Sequence, residues 1–135
     1  MKSIKDILFA LVLAVCLIFF IKTYIIDFKV VASESMEPTL EKGDIIIISK
    51  LAYDIIGIEY NVPKSSDIIT FNHNNEHLIK RIKDVNSQGE MFVIGDNENN
   101  SIDSRNFGYV RKSDLEGKAI IKFNFSTFSV DFLNE

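Results

Sequence analysis

The chain has 135 residues, 47% of them hydrophobic and eleven of them Phe, which is room for one compact domain with a packed core and excludes a disordered chain. Its formal net charge is −4, and no basic cluster stands outside short stretches, so nucleic acid is not the expected partner. Cys16 is the sole cysteine, which rules out an internal disulfide.

The first element in chain order is apolar. Residues 7–21 carry no charge, and with Tyr24, Ile25 and Ile26 after the Lys22-Thr23 break the stretch reaches about 20 residues, or about 30 Å of helix, enough to cross a bilayer. Lys22 can snorkel to the headgroups. A cleavable signal peptide competes with this reading, with Lys2 and Lys5 as its charged start. Small residues at cleavage spacing do not follow promptly, since 22–26 is bulky and Ala32-Ser33 comes late. An uncleaved anchor over 7–26 is therefore expected, after a short cytoplasmic start at 1–6. Lys2 and Lys5 face Lys22 and Lys29 across the span, which gives only a slight lean to an N-terminus inside the cell.

Beyond the anchor the chain shows short β-type runs separated by polar turns, and no repeat or second domain. Strands are predicted at 28–31, 44–49, 67–72, 77–83, 90–94 and 119–125. Ile45-Ile46-Ile47-Ile48 has the β-branched continuity of a strand buried on both faces, whereas Ile121, Phe123 and Phe125 alternate with polar residues. The fold expected for 27–135 is a mainly β, antiparallel, barrel-like domain outside the membrane.

Two stretches carry chemistry. In Leu78-Ile79-Lys80-Arg81-Ile82 side chains alternate faces, so Lys80 shares its side with Leu78 and Ile82. An ammonium between aliphatic neighbours is partly desolvated, which favours the neutral amine and makes it a candidate base. An edge lysine that blocks aggregation is the plainer alternative. Ser35 is the candidate nucleophile, because Pro38 and the acidic and small residues around it suggest a constrained, exposed turn.

Ser35-Met36-Glu37-Pro38-Thr39-Leu40 resembles the nucleophile box of bacterial type I signal peptidases. Four more stretches fall in that family's order. They are the membrane exit at 21–26, the strand Gly43-Asp44-Ile45-Ile46-Ile47-Ile48-Ser49-Lys50, the base box at 78–82, and a last box from Gly95-Asp96-Asn97 through Ser101, Asp103 and Arg105 to Gly108. The resemblance implies a Ser35/Lys80 dyad in a single-pass plasma-membrane serine endopeptidase that cleaves signal peptides from exported preproteins. It also implies an oxyanion hole from Ser33 and the Ser35 N–H, an orienting role for Ser101 toward the lysine, a supporting ion pair between Asp103 and Arg105, and contact of Met36 with the lipid bilayer. No cofactor or metal is implied. Substrates of the family carry small residues one and three positions before the scissile bond.

The chain departs from the family's pattern in three places. Glu98 stands where the family usually has Arg, Ser66-Asp67 stands where Gly-Asp is common, and only 83–94 separates the last two boxes, which otherwise flank a long insertion. A stripped catalytic core is thus expected. Other readings remain open. A degenerate relative would bind preproteins or assemble surface fibres without cutting, and self-cleaving repressor peptidases share the dyad but carry a DNA-binding domain. His73-Asn74-Asn75-Glu76-His77 fits the H-x-x-E-H pattern of inverted zinc peptidases, but that motif needs a helix where Asn74-Asn75 predicts a hairpin turn. The acidic and amide residues at 96–100 resemble a calcium loop but have Ser101 and Phe107 at its glycine and glutamate positions.

Overall fold

The computed structural model describes residues 3–55 and 57–133; Lys2 lies outside them. Helix α1 (Ile4–Tyr24) starts at a capping box in which the Ser3 and Asp6 side chains satisfy each other's backbone N–H groups. It runs for 21 residues with a mean hydropathy of 2.7 over its most apolar window and buries nothing against the rest of the chain. By length and composition it is long and apolar enough to cross a bilayer core. It stops at Tyr24, so Ile26, placed in the anchor by the sequence reading, begins the first strand instead. The Lys50 ammonium donates to the carbonyls of Lys22 and Thr23, each at 3.1 Å, covering acceptors that the last turn leaves unpaired.

The strands are β1 (Ile26–Val30), β2 (Ile45–Ser49), β3 (Asp54–Ile55), β4 (Ile58–Glu59), β5 (Ile68–His73), β6 (Glu76–Val85), β7 (Met91–Ile94), β8 (Leu115–Asn124) and β9 (Ser129–Phe132), with a one-turn helix α2 (Ser104–Phe107) after β7. The main sheet is antiparallel in the order β1-β2-β8-β5-β6-β7, and β9 pairs with the far half of β8. Strand β8 can serve three neighbours because its ten residues pair with β5 near one end and β9 near the other. The path runs from β1 to β7 without rejoining, so the sheet is open where a barrel-like form was expected.

Alternation along β5 divides the core. Ile68 packs with Val31, Met36, Leu40, Ile46, Ile48 and Ala119, while Ile69 and Phe71 pack with Tyr53, Ile82, Met91, Val93 and Val110 on the other face. In β2 only Ile46 and Ile48 are fully buried and Ile45 and Ile47 are half covered, so one face of that run is packed rather than both. Met36 is completely buried in the first cluster. It therefore cannot touch lipid, and the membrane role expected for it is replaced by a packing one: it anchors the turn that carries Ser35. Asn74 and Asn75 form the β5–β6 turn with positive φ, which Asn tolerates, so the histidines flanking them lie on a hairpin.

Candidate active site

Three segments meet at the site: the 33–40 turn after β1, the middle of β6, and the 95–105 loop after β7. The turn is fixed from within by the buried side chains of Met36 and Leu40 and by the bond from the Leu40 N–H to the Met36 carbonyl. Strand β6 brings Lys80 to it from 45 residues away, and the Lys80 Nζ lies 2.7 Å from the Ser35 Oγ. A charged ammonium donates across that distance, whereas a neutral amine accepts the hydroxyl proton. The amine also donates to the Ile79 carbonyl at 3.1 Å. Lys80 is 3% exposed, and burial pulls its pKa below the ordinary lysine value, with the nearby Asp103 carboxylate opposing the shift.

The Ser33 Oγ stands 3.1 Å from the Ser35 Oγ. Among the described residues the Ser35 N–H has no hydrogen-bond partner, so both groups named for an oxyanion hole lie beside the nucleophile hydroxyl. Ser101 is brought to the same cleft, but its hydroxyl donates to Asp103 Oδ2 at 2.8 Å, and the amine's own partners are Ser35 and Ile79. Ser101 thus makes no hydrogen bond to Lys80 and is linked to it by way of Asp103, whose charge acts on the amine.

Asp103 is fully buried and saturated. It accepts from the Gly95 N–H at 2.9 Å, from Ser101, and from the Arg105 backbone and guanidinium, the latter at 2.8 Å to each oxygen. Burial pushes its carboxyl up, but these donors, Arg105 foremost, hold it well below the usual carboxylate range. Glu98, the residue at odds with the family's pattern, lies on the outside of this pair, its backbone carbonyl accepting from Arg105 at 2.9 Å and its carboxylate 3.7 Å away.

Three positions with no role assigned from sequence complete the frame. Gly95 passes so close to the turn that a Cβ there would sit 2.5 Å from the Ser35 carbonyl and 2.2 Å from the Ser101 Oγ. Arg81, facing away from Lys80, forks onto Asp96 at 2.8 and 2.6 Å and reaches the Thr39 hydroxyl at 3.3 Å. It thereby ties β6, the turn and the last loop together. The alternation of β6 signals that Arg81 lies behind the lysine, but not what it meets. Asn97 closes the frame by donating from its backbone to the Ser35 carbonyl at 3.0 Å and from its side chain to the Glu34 carbonyl at 3.1 Å.

The cleft over the dyad, about 650 Å³, runs between the β5–β6 hairpin and the 99–107 segment and is walled by His73, Leu78, Ile102 and Phe107. His73 stacks on Phe107 at 4.3 Å, and His77 pairs with Glu116, so each ring has a local partner. A hydroxyl and a buried amine at hydrogen-bond distance, beside N–H and O–H donors and under an open cleft, form a constellation suited to acyl transfer.

Comparison with known proteins gives the same direction. The model of the family described as signal peptidase, peptidase S26, matches residues 4–87 and 82–124. The chain is 28% identical, over 177 aligned positions covering 98% of it and 99% of the relative, to a Staphylococcus aureus (strain COL) protein named inactive signal peptidase IA. It is 29% identical to signal peptidase I of Leptolyngbya laminosa (91% of this chain, 79% of the relative). It is 28% identical to probable signal peptidase I-2 of Synechocystis sp. (84% and 70%). The match runs from the apolar helix through the nucleophile turn and β6 into β8, and on it the chain belongs to the signal peptidase family, peptidase S26.

Proposed function

We propose that the chain is an active serine endopeptidase that removes N-terminal signal peptides from exported preproteins, held by α1 as a single-pass anchor with residues 27–135 on the outer face of the plasma membrane. The observation that carries this is the buried 2.7 Å contact between Lys80 and Ser35. Ser35 Oγ attacks the scissile carbonyl carbon while Lys80 takes its proton. The developing oxyanion is met by the Ser35 N–H and the Ser33 hydroxyl, and Lys80 then passes the proton to the departing amine. Water, deprotonated by the same amine, releases the acyl group from Ser35. Mass mapping of a preprotein incubated with the full chain in detergent tests the reading. One cut at the end of the signal peptide, absent with Ser35→Ala, is expected, and an intact preprotein with the wild type refutes it.

A second reading, a non-cleaving relative that binds preproteins or assembles surface fibres, is favoured by the likeness to a protein named inactive. The two separate on covalent labelling: an active dyad is acylated at Ser35 by a serine-directed peptide probe, and a binding protein is not.

Asp103 supplies a prediction with two signs. Its folded pKa is depressed, so its stabilisation is present above the unfolded value of about 3.9 and is lost as pH falls through the folded one. Asp103→Asn is expected to cost about 1–3 kcal/mol at neutral pH, with the gap to wild type closing in acid. Because the Asp103 charge holds the Lys80 pKa up, the same variant should move the rising limb of the pH–rate profile to lower pH. Chemical denaturation at several pH values and initial rates across pH check both.

A further inference from the structure

The two segments that bring the dyad together are not neighbours in the sheet. Residues 29–33 lead from β1 to Ser35, residues 77–80 of β6 end on Lys80, and β2, β8 and β5 lie between β1 and β6 in the strand order. Among the described residues no backbone hydrogen bond joins the two segments. Val31 and Ile79 share one apolar cluster, yet a cavity of about 90 Å³ lies between the segments, so packing alone does not fix their spacing.

Hydrogen bonds tie them at two points. One is the Lys80–Ser35 contact itself. The other is Glu116 of β8, whose Oε2 accepts from the Lys29 ammonium at 2.6 Å and whose Oε1 accepts from the His77 Nδ1–H. A single carboxylate thus grips one residue of each segment. Its aim is set by the backbone: Thr70 of β5 faces Gly117 but Phe71 faces Leu115, so Glu116 is the extra residue of a β-bulge, a distortion that redirects one side chain. Gly117 fixes the bulge from the other side, since a Cβ there would lie 2.5 Å from the Ser49 carbonyl of β2. Most exposed ion pairs contribute little, but the Lys29 and Glu116 side chains are only 24% and 25% exposed. Of the other charged groups around them, Lys50 donates to the end of α1 and Asp27 accepts from the Phe28 N–H, so neither competes for Glu116.

We propose that Glu116 is a positioning residue that clamps Lys29 to His77, holds the 29–33 segment against β6 and thereby sets the approach of Ser35 to Lys80. Its effect on rate rests on the peptidase reading; its effect on the amine does not. Parting the segments costs about 3–10-fold in kcat, a fraction of the ~10²-fold that a 1 Å misplacement costs, with KM changing less. It also admits water to Lys80, which raises the amine's titration midpoint, whereas loss of a carboxylate charge at fixed geometry would lower it. The direction of that change separates a clamp from a charge.

The test measures preprotein cleavage across pH and titrates Lys80 by NMR, on the full chain in micelles, for Glu116→Ala, Glu116→Gln and His77→Leu. Glu116→Ala is expected to lower kcat about 3–10-fold and to move both the rising limb of the pH–rate profile and the Lys80 midpoint to higher pH. Glu116→Gln keeps the reach, its oxygen accepting from Lys29 and its amide donating to His77, and should retain most of the wild-type rate with no rise in the midpoint. His77→Leu parts the bridge but leaves the carboxylate, and should change rate and midpoint in the same direction as Glu116→Ala. Should Glu116→Ala fail to unfold cooperatively, His77→Leu carries the test. Wild-type kcat in the bridge-breaking variants, an unmoved or lowered midpoint in them, or equal losses in Glu116→Ala and Glu116→Gln overturns the proposal while leaving the peptidase reading intact. If the wild type cleaves nothing, a midpoint raised in Glu116→Ala upholds the clamp and sinks the peptidase reading alone, and an unmoved one sinks both.

Discussion

Ser35→Ala is expected to cut the rate of preprotein cleavage by about 10⁴-fold or more, and Lys80→Met by about 10²–10⁴-fold, with the double variant no slower than the slower single one. The two side chains act as a unit: without the amine the hydroxyl keeps its proton, and without the hydroxyl the amine has nothing to activate. Additive losses would mean that they act separately. Stability supplies an independent sign. Burial lowers the Lys80 pKa in the folded state, so between that value and about 10.4 the unfolded chain binds the extra proton, and folding stability rises with pH across that window. Lys80→Met removes this penalty. The variant should be at least as stable as wild type at neutral pH and should lose that part of the pH dependence. A variant that is both inactive and destabilised would point to a structural lysine.

Gly95→Ala is expected to lower cleavage by about 10²-fold. The added methyl would lie 2.5 Å from the Ser35 carbonyl oxygen and 2.2 Å from the Ser101 Oγ. Ser101 can rotate, but the Ser35 carbonyl is backbone and is held by the Asn97 N–H at 3.0 Å, so the nucleophile turn has to move. A displacement near 1 Å at a reacting group costs about this much, and overpacking costs about 1–3 kcal/mol of stability. A cooperative unfolding transition together with lost labelling of Ser35 by the serine-directed probe would assign the effect to misplacement. Retained wild-type activity would show that the close approach does not position the serine.

The strand bearing Lys80 is readable because Leu78, Lys80 and Ile82 share one side by alternation, and the β5–β6 turn because Asn74-Asn75 is hairpin chemistry. The apolar helix is readable because fifteen successive uncharged residues at 7–21 sustain a single helix long enough to cross a bilayer. What failed was tertiary. Hydropathy cannot tell a methionine that meets lipid from one that fills a core, and Met36 is decided by Leu40, Val31 and Ile48 packing over it. Strands β3 and β4 have two residues each, too short for periodicity, and β9 exists because β8 extends beyond β5 and offers a free edge. Sheet closure was not visible either, since it depends on whether β1 and β7 meet. Gly95 was silent because it matters only through atoms brought close from distant segments. The resemblance to signal peptidases placed Ser35, Lys80, Ser33, Ser101, Asp103 and Arg105 near one another, and the structure brings all six to one region.

The proposed catalysis turns on the protonation state of one amine. Titration of the Lys80 side chain by NMR, with ¹³C-labelled lysine in the full chain in micelles and Lys80→Met to assign the signal, measures it directly. A midpoint well below the ordinary lysine value of about 10.4 is predicted, lowered further by Asp103→Asn. A midpoint at or above that value would leave Ser35 without a base at neutral pH and contradict the proposed mechanism.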